Sequence, residues 1–151
     1  MSNDFGYPRV LFFGIYQIGA QCLTSLLDTK ANVVGVVTNI DDSSTKGSVS
    51  NIAHGSKIMV YIPHSPRESA FVRSMEDLRP DIIVVAGYHK IIPKVLLDIP
   101  PLGTLNVHDS LLPRYRGPNS WKWAIANGES QTGVTIHLME PELDTGAIMA
   151  Q

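Results

Sequence analysis

The sequence predicts an α/β fold: a doubly wound, mostly parallel sheet of Rossmann-like type in a single domain. Three short runs carry this reading, Arg9–Phe13, Val33–Thr38 and Ile82–Ala86. Each is rich in branched apolar residues and has strand length. None alternates apolar with polar, so each is expected to be covered on both faces, as parallel strands are. Segments of helical spacing lie between them, and that alternation defines the class.

The elements follow in order. Ile18, Cys22, Leu23, Leu26 and Leu27 recur at helical spacing and predict a helix over Tyr16–Leu27. The segment Asp41–Gly47 is polar and turn-rich, an exposed loop. Phe71, Met75 and Leu78 predict a helix after Pro66, stopped by Pro80. Thr104–His108, Val134–Leu138 and Ala147–Gln151 are further strands, and Trp121–Ala126 is a short helix. Core packing is expected of Trp121 and Trp123; stacking on a ring-shaped ligand is the alternative. No internal repeat or low-complexity tract is present.

The bulk numbers bound the function. A chain of 151 residues, 44% hydrophobic, suits one domain, 1–151, with one core. The net charge of -2 gives no basic excess to neutralise a phosphate backbone, so nucleic-acid binding by this chain alone is disfavoured. The single cysteine, Cys22, forbids an internal disulfide and reads as a small buried hydrophobe. No apolar run approaches the ~20 residues of a membrane span. Met1–Pro8 has no basic region followed by an apolar one, so a cytoplasmic protein is expected.

Ligands of such sheets bind outside the carboxyl ends of the strands. That rim collects Gly14-Ile15-Tyr16, Thr38-Asn39, Gly87-Tyr88-His89 and Asn106-Val107-His108. Gly14 and Gly19 have the spacing of a phosphate loop, but Ala20-Gln21 stands where Lys and Ser or Thr are required. Tyr16 also breaks the dinucleotide pattern. Tight packing of a strand-to-helix turn is expected there, although a helix N-terminus can hold an anionic group.

Asn106 and His108 are the chemically informative pair. Two residues apart at a strand end, they point the same way. An amide N–H suits an oxyanion, and an imidazole moves protons near neutral pH. Together they suit a carbonyl that becomes tetrahedral. A carboxylate beside the imidazole favours its cation. Asp144, in Glu142-Leu-Asp-Thr-Gly146, is the best candidate, because Asp109 alternates to the other side of its strand. His54, His64 and His89 read as surface histidines. The direction of His137 stays open. A metal site of His108, His137 and Asp144 lacks paired ligand spacing, so no metal is expected.

A resemblance becomes specific at these residues. Asn106-Val-His108, Ser110-Leu-Leu-Pro113, Arg114-Tyr-Arg-Gly117, Gly133-Val-Thr-Ile-His137 and Leu143-Asp144-Thr-Gly146 match, in order, a family signature. The chain resembles the formyltransferases that use 10-formyltetrahydrofolate. It is most similar to the branch containing methionyl-tRNA formyltransferase and the sugar-amine formyltransferases, and less similar to the glycinamide ribonucleotide formyltransferases. The match runs from Arg9 to Gln151.

The resemblance implies that Asn106, His108 and Asp144 are the catalytic set. Asn106 and His108 would stabilise a tetrahedral intermediate, and Asp144 would hold His108 charged. It implies a folate site from Ser110, Leu111, Leu112 and Pro113, from Glu140, Pro141, Glu142 and Leu143, and from the backbone of Ala86, Gly87, Tyr88, His89 and Lys90. Arg114, Arg116 and Gly117 would meet an anionic acceptor or the folate's glutamate tail. Pro118 stands where some sugar-amine relatives carry an arginine.

The implied reaction passes a formyl group from 10-formyltetrahydrofolate to an amine or hydroxylamine. The acceptor would be a small molecule, a nucleotide-sugar amine or a carrier-bound aminoacyl group, with tRNA disfavoured for this chain alone. Hydrolysis of the donor and a non-catalytic folate-binding or interaction domain are the competing readings. The family's catalytic domains continue past Asp-Thr-Gly. The chain is therefore expected to lack C-terminal closing elements and any OB-like domain, and its open face could join two copies.

Overall fold

The structure, a computed structural model, describes residues 6–151. Residues 1–5, part of the stretch read above for a leader, lie outside the described residues. Among the described residues no helix is long and apolar enough to cross a membrane.

Seven strands form one sheet. They are β1 (Arg9–Gly14), β2 (Asn32–Val37), β3 (Val60–Tyr61), β4 (Ile82–Ala86), β5 (Thr104–His108), β6 (Thr135–Leu138) and β7 (Ile148–Ala150). The helices are α1 (Tyr16–Asp28), α2 (Val49–Gly55), α3 (Ser69–Asp77), α4 (Lys94–Leu97) and α5 (Ser120–Ala126). The strand order is β3-β2-β1-β4-β5-β6-β7. The first five strands of that order pair in parallel, and β6 and β7 add antiparallel.

The doubly wound core follows from strand alternation. Leu11 and Phe13 pack with Phe71, Val72 and Met75 of α3 and with Leu96 of α4. Phe12 points to the opposite face and packs with Ala20 and Leu23 of α1 and Val49 and Ala53 of α2. A helix layer thus covers each face of β1, as an unbroken apolar strand requires. Val107 belongs to the second cluster, so Asn106 and His108 turn to the other face of β5.

The turn from β1 into α1 is packed as its glycines suggest. A Cβ on Gly14 would overlap the Phe12 ring, and one on Gly19 would lie 3.0 Å from the Gly14 carbonyl carbon and 3.2 Å from the Ala86 oxygen. Close approach of α1 to β1 and β4 is what these glycines permit.

Three elements have no counterpart in the sequence reading. α2 is capped by Ser48, whose side chain accepts from the Asn51 N–H at 3.1 Å. Its sequence, Val-Ser-Asn-Ile-Ala-His-Gly, has too few large apolar residues to mark a face, and β3, two residues, and α4, four, are too short for periodicity to register. Core packing of the α5 tryptophans is corrected. Trp121 is 46% exposed and Trp123 60%, and this helix buries only Ser120 and Ala124. Cys22 is half-buried rather than fully enclosed, and burial pushes its thiol up from the ordinary value.

Candidate active site

β5 and β6 build the centre of the site. In their antiparallel register Asn106 stands opposite His137, and His108 opposite Thr135. Residues paired across strands share a face. The antiparallel turn of the sheet therefore adds the side chains of β6 to those of β5 at one rim.

The loop after β6 supplies the carboxylate. It folds back so tightly at Gly146 that a Cβ there would overlap the Leu138 carbonyl oxygen. Only glycine fits, and Leu138 N–H accordingly bonds the Ala147 carbonyl at 2.9 Å. This closure brings Asp144 onto the rim, with φ of 51° in the left-handed region that Asp tolerates.

Asp144 lies between four groups. Its Oδ2 accepts from the Gly117 N–H at 2.8 Å, and its Oδ1 from the Asn106 Nδ2 at 3.4 Å. Oδ2 is 3.6 Å from His108 Nδ1, and Oδ1 is 3.4 Å from His137 Nε2. The Asp144 and His108 side chains are 8% and 7% exposed. A carboxylate this sheltered needs hydrogen-bond donors, and Gly117 N–H and Asn106 Nδ2 supply them.

His108 turns its Nε2 to the Tyr115 carbonyl at 2.9 Å. That carbonyl is fixed by its loop. Tyr115 has φ of 56°, and Ser110 Oγ lies 2.7 Å from the Arg114 oxygen and 3.3 Å from the Tyr115 oxygen. Thr135 Oγ1 donates to the Ser110 carbonyl at 2.6 Å and accepts from Leu112 N–H at 3.1 Å. The Ser-Leu-Leu-Pro loop is thereby tied to β6. His108 Nδ1, beyond hydrogen-bond distance of Asp144, is the ring nitrogen left free.

The structure thus brings Asn106, His108 and Asp144 together. Around them Leu111 and Leu143 remain 40% and 65% exposed, Leu111 against Gly133 and Leu143 against Gly117. Glu140, Pro141 and Glu142 are exposed on the same loop. Ala86 pairs with Val107, so Gly87 leaves β4 at the level of His108.

Other candidates go elsewhere. Tyr88 packs edge-on against Phe13 with ring centroids 5.2 Å apart, and burial pushes its phenol up to about 12. Its hydroxyl has no partner among the described residues. His89 is exposed and meets the Tyr16 ring at 5.2 Å. Arg114 pairs with Glu129, which also accepts from Tyr115 Oη at 2.6 Å. That pairing turns Arg114 toward α5, and the hydrogen bond from Tyr115 holds the Glu129 carboxyl below its usual range, with Arg114 adding to it. Arg116 is exposed. Asp109 accepts from Ser120 Oγ.

His137 is the residue that sequence reasoning left without a role. It is 2% exposed. Its register opposite Asn106 was the missing signal, and a lone strand segment does not reveal register.

The rim of a mostly parallel sheet thus brings together two imidazoles, an amide and a carboxylate. The family described as formyl transferase matches residues 9–151, and the chain belongs to that family.

Similar proteins include a methionyl-tRNA formyltransferase of Pelobacter propionicus, 44% identical over 146 residues, covering 93% of this chain and 46% of the relative. One of Clostridioides difficile is 40% identical over 144 residues, covering 91% of this chain and 47% of the relative. The chain therefore spans slightly under half the length of these curated relatives. Among solved structures, a phosphoribosylglycinamide formyltransferase of Bacillus halodurans superposes with a TM-score of 0.81 at 25% identity, over 95% of this chain and 77% of the other. A formyltetrahydrofolate deformylase of Pseudomonas syringae pv. tomato matches in fold, with a TM-score of 0.80 at 22% identity, over 97% of this chain and 51% of the other.

Proposed function

We propose that this domain transfers a formyl group from 10-formyltetrahydrofolate to a primary amine, with Asn106, His108 and Asp144 acting on the reacting carbonyl. The observation that carries the reading is the convergence of these three side chains on one sheltered rim in a chain of this family.

The residues present fit the folate donor. Uncharged Leu143, next to Asp144 in the chain, and Leu111, in the loop after β5, lie open, as a flat and weakly charged ring system requires. Ser110–Pro113, Glu140–Leu143 and the Ala86–Lys90 backbone are the segments that would hold it. When bound, it supplies an activated formyl carbon and a leaving amine.

Asn106 Nδ2 has two hydrogens, directed to His137 Nε2 at 3.2 Å and Asp144 Oδ1 at 3.4 Å. The longer contact is the weaker, and an incoming carbonyl oxygen displaces it. Asn106 then stabilises negative charge on that oxygen. His108 Nδ1 takes the proton from the attacking amine, with Asp144 Oδ2 beside the cation that results, and gives it to the donor's leaving nitrogen as the bond from that nitrogen to the formyl carbon breaks. Gly117 N–H keeps the carboxylate oriented.

The relatives support the amino group of methionyl-tRNA as the acceptor. Near-neutral charge argued against tRNA, but it bears on contacts to the phosphate backbone and not on the aminoacyl end that reacts. The test incubates the protein with 10-formyltetrahydrofolate and either methionyl-tRNA or a panel of small amines, and identifies products by mass spectrometry. Formyl-methionyl-tRNA is expected, lost in Asn106→Ala. Formate release at the same rate without acceptor would replace the reading with hydrolysis.

A further inference from the structure

We infer that His137 is a positioning residue that fixes the side-chain amide of Asn106 through a single imposed tautomer. The inference rests on the proposed role of Asn106 at the reacting oxygen.

His137 Nδ1 lies 2.8 Å from the carbonyl of Leu138, a group that only accepts, so Nδ1 carries a hydrogen. In the neutral ring Nε2 is then a lone-pair acceptor. That acceptor is 3.2 Å from Asn106 Nδ2, in a pair set directly opposite across β5 and β6. Asn106 Nδ2 faces a second acceptor, Asp144 Oδ1, at 3.4 Å. Two acceptors on one side of the amide leave only one sensible orientation: nitrogen toward His137 and Asp144. The His137 Nε2 lone pair and Asp144 Oδ1 are themselves 3.4 Å apart, and the Asn106 amide nitrogen supplies a hydrogen to each; a flipped amide would leave three acceptors facing one another with no hydrogen between.

His137 therefore keeps the hydrogen bond that the reaction does not use. When the carbonyl oxygen displaces Asp144 from the other amide hydrogen, His137 still holds the group in place. At 2% exposure no water substitutes for it. The ring is a backbone-to-side-chain relay: the Leu138 carbonyl sets the tautomer, the tautomer sets the acceptor, and the acceptor sets the amide.

The test compares His137→Leu, His137→Asn and His137→Gln in the protein, with a thermal melt and folate-analogue binding as controls. Leu removes the acceptor. Asn places polar atoms near the Nδ1 position. Gln places an oxygen near the Nε2 position. Turnover is expected to fall roughly 10- to 100-fold in His137→Leu and His137→Asn, with KM for the donor little changed, because a misplaced group costs rate rather than binding. His137→Gln is expected to recover most of the rate. In the double variant Asn106→Ala/His137→Leu, the second change is expected to add nothing.

Equal loss in all three variants, or losses that multiply with Asn106→Ala, would overturn the inference. Nitrogen-15 NMR of the unsubstituted protein gives an independent reading: a hydrogen on His137 Nε2 and none on Nδ1 would also overturn it. If Asn106→Ala leaves transfer intact, the site assignment itself fails. If Asn106→Ala abolishes transfer while His137→Leu changes nothing, only the role of His137 fails.

Discussion

β1 and β5 lie in one sheet with only β4 between them, yet they bury opposite kinds of matter. β1 encloses Leu11, Phe12 and Phe13 completely and no polar side chain. β5 and the segment up to β6 enclose Thr104, His108, Ser110, Ser120, Thr135 and His137, six of the eight buried polar side chains among the described residues. Apolar burial has no direction, so the β1 side is a platform that tolerates any close packing. Polar burial demands a partner at a set angle. With the exception of the Thr104 hydroxyl, each of those six has one. The lesson is that orientation is concentrated on one half of the sheet, and the half that orients is the half that can do chemistry.

The sharpest way to break the comparison is to remove orientation without removing volume. Asp144→Asn keeps the shape of the side chain and leaves the Gly117 N–H an acceptor. It removes the charge beside His108 Nδ1. Turnover is expected to fall by about 10²- to 10⁴-fold, with the thermal melt near that of the unsubstituted protein. The rate of amine formylation checks this. A large loss of stability, with activity falling only as the folded fraction falls, would make Asp144 part of the scaffold.

The converse experiment acts on the platform. Phe12→Ala empties a fully buried site among Ala20, Leu23 and Val49. The expected cost is about 3–5 kcal/mol, read from denaturant unfolding. Activity per folded molecule should survive, because Phe12 packs on the sheet face of Val107, opposite the face that Asn106 and His108 occupy. A selective loss of turnover at unchanged stability would mean that the two halves are not separable.

Legibility in the sequence divides along the same line. β1, β2 and β4 could be read because unbroken branched apolar runs have no other good use in a chain of this size. β3 and α4 could not, because two and four residues carry no periodicity, and α2 could not, because its mixed small and polar residues mark no apolar face. Asn106 and His108 were legible as a pair, since alternation along one strand is local. Asp144 was legible as a carboxylate in a loop between two strands that could return to the rim, and the structure supplies the cause in the Gly146 closure onto Leu138. His137 was out of reach because its meaning lies in a register between strands, the paired residues Asn106 and His137 being 31 positions apart in the chain. Trp121 and Trp123 misled for a related reason: α5 is amphipathic in composition, but only Ser120 and Ala124 face inward.

The smallest expected effect falls on the residue that sits across the boundary. Tyr88 follows β4, its ring on Phe13 in the platform and its hydroxyl buried without a partner. Burial raises its folded-state value from 10.0 to about 12. A group raised on folding contributes stability that is complete below its unfolded value and is lost as pH rises through the folded one. Stability should therefore decline between about pH 10 and about pH 12 as the unfolded chain ionises first. Tyr88→Phe removes that share of the decline, visible as a difference between the two melting curves against pH, which cancels the other tyrosines. At neutral pH the variant should be as stable or up to about 1 kcal/mol more stable, because an unpaired buried hydroxyl is replaced by hydrogen. The same variant asks which half of the sheet owns the residue. If Tyr88→Phe leaves KM for the formyl donor unchanged, the hydroxyl belongs to the platform. If KM rises while the melt improves, the hydroxyl is kept, at a cost to stability, for a partner that arrives with the donor.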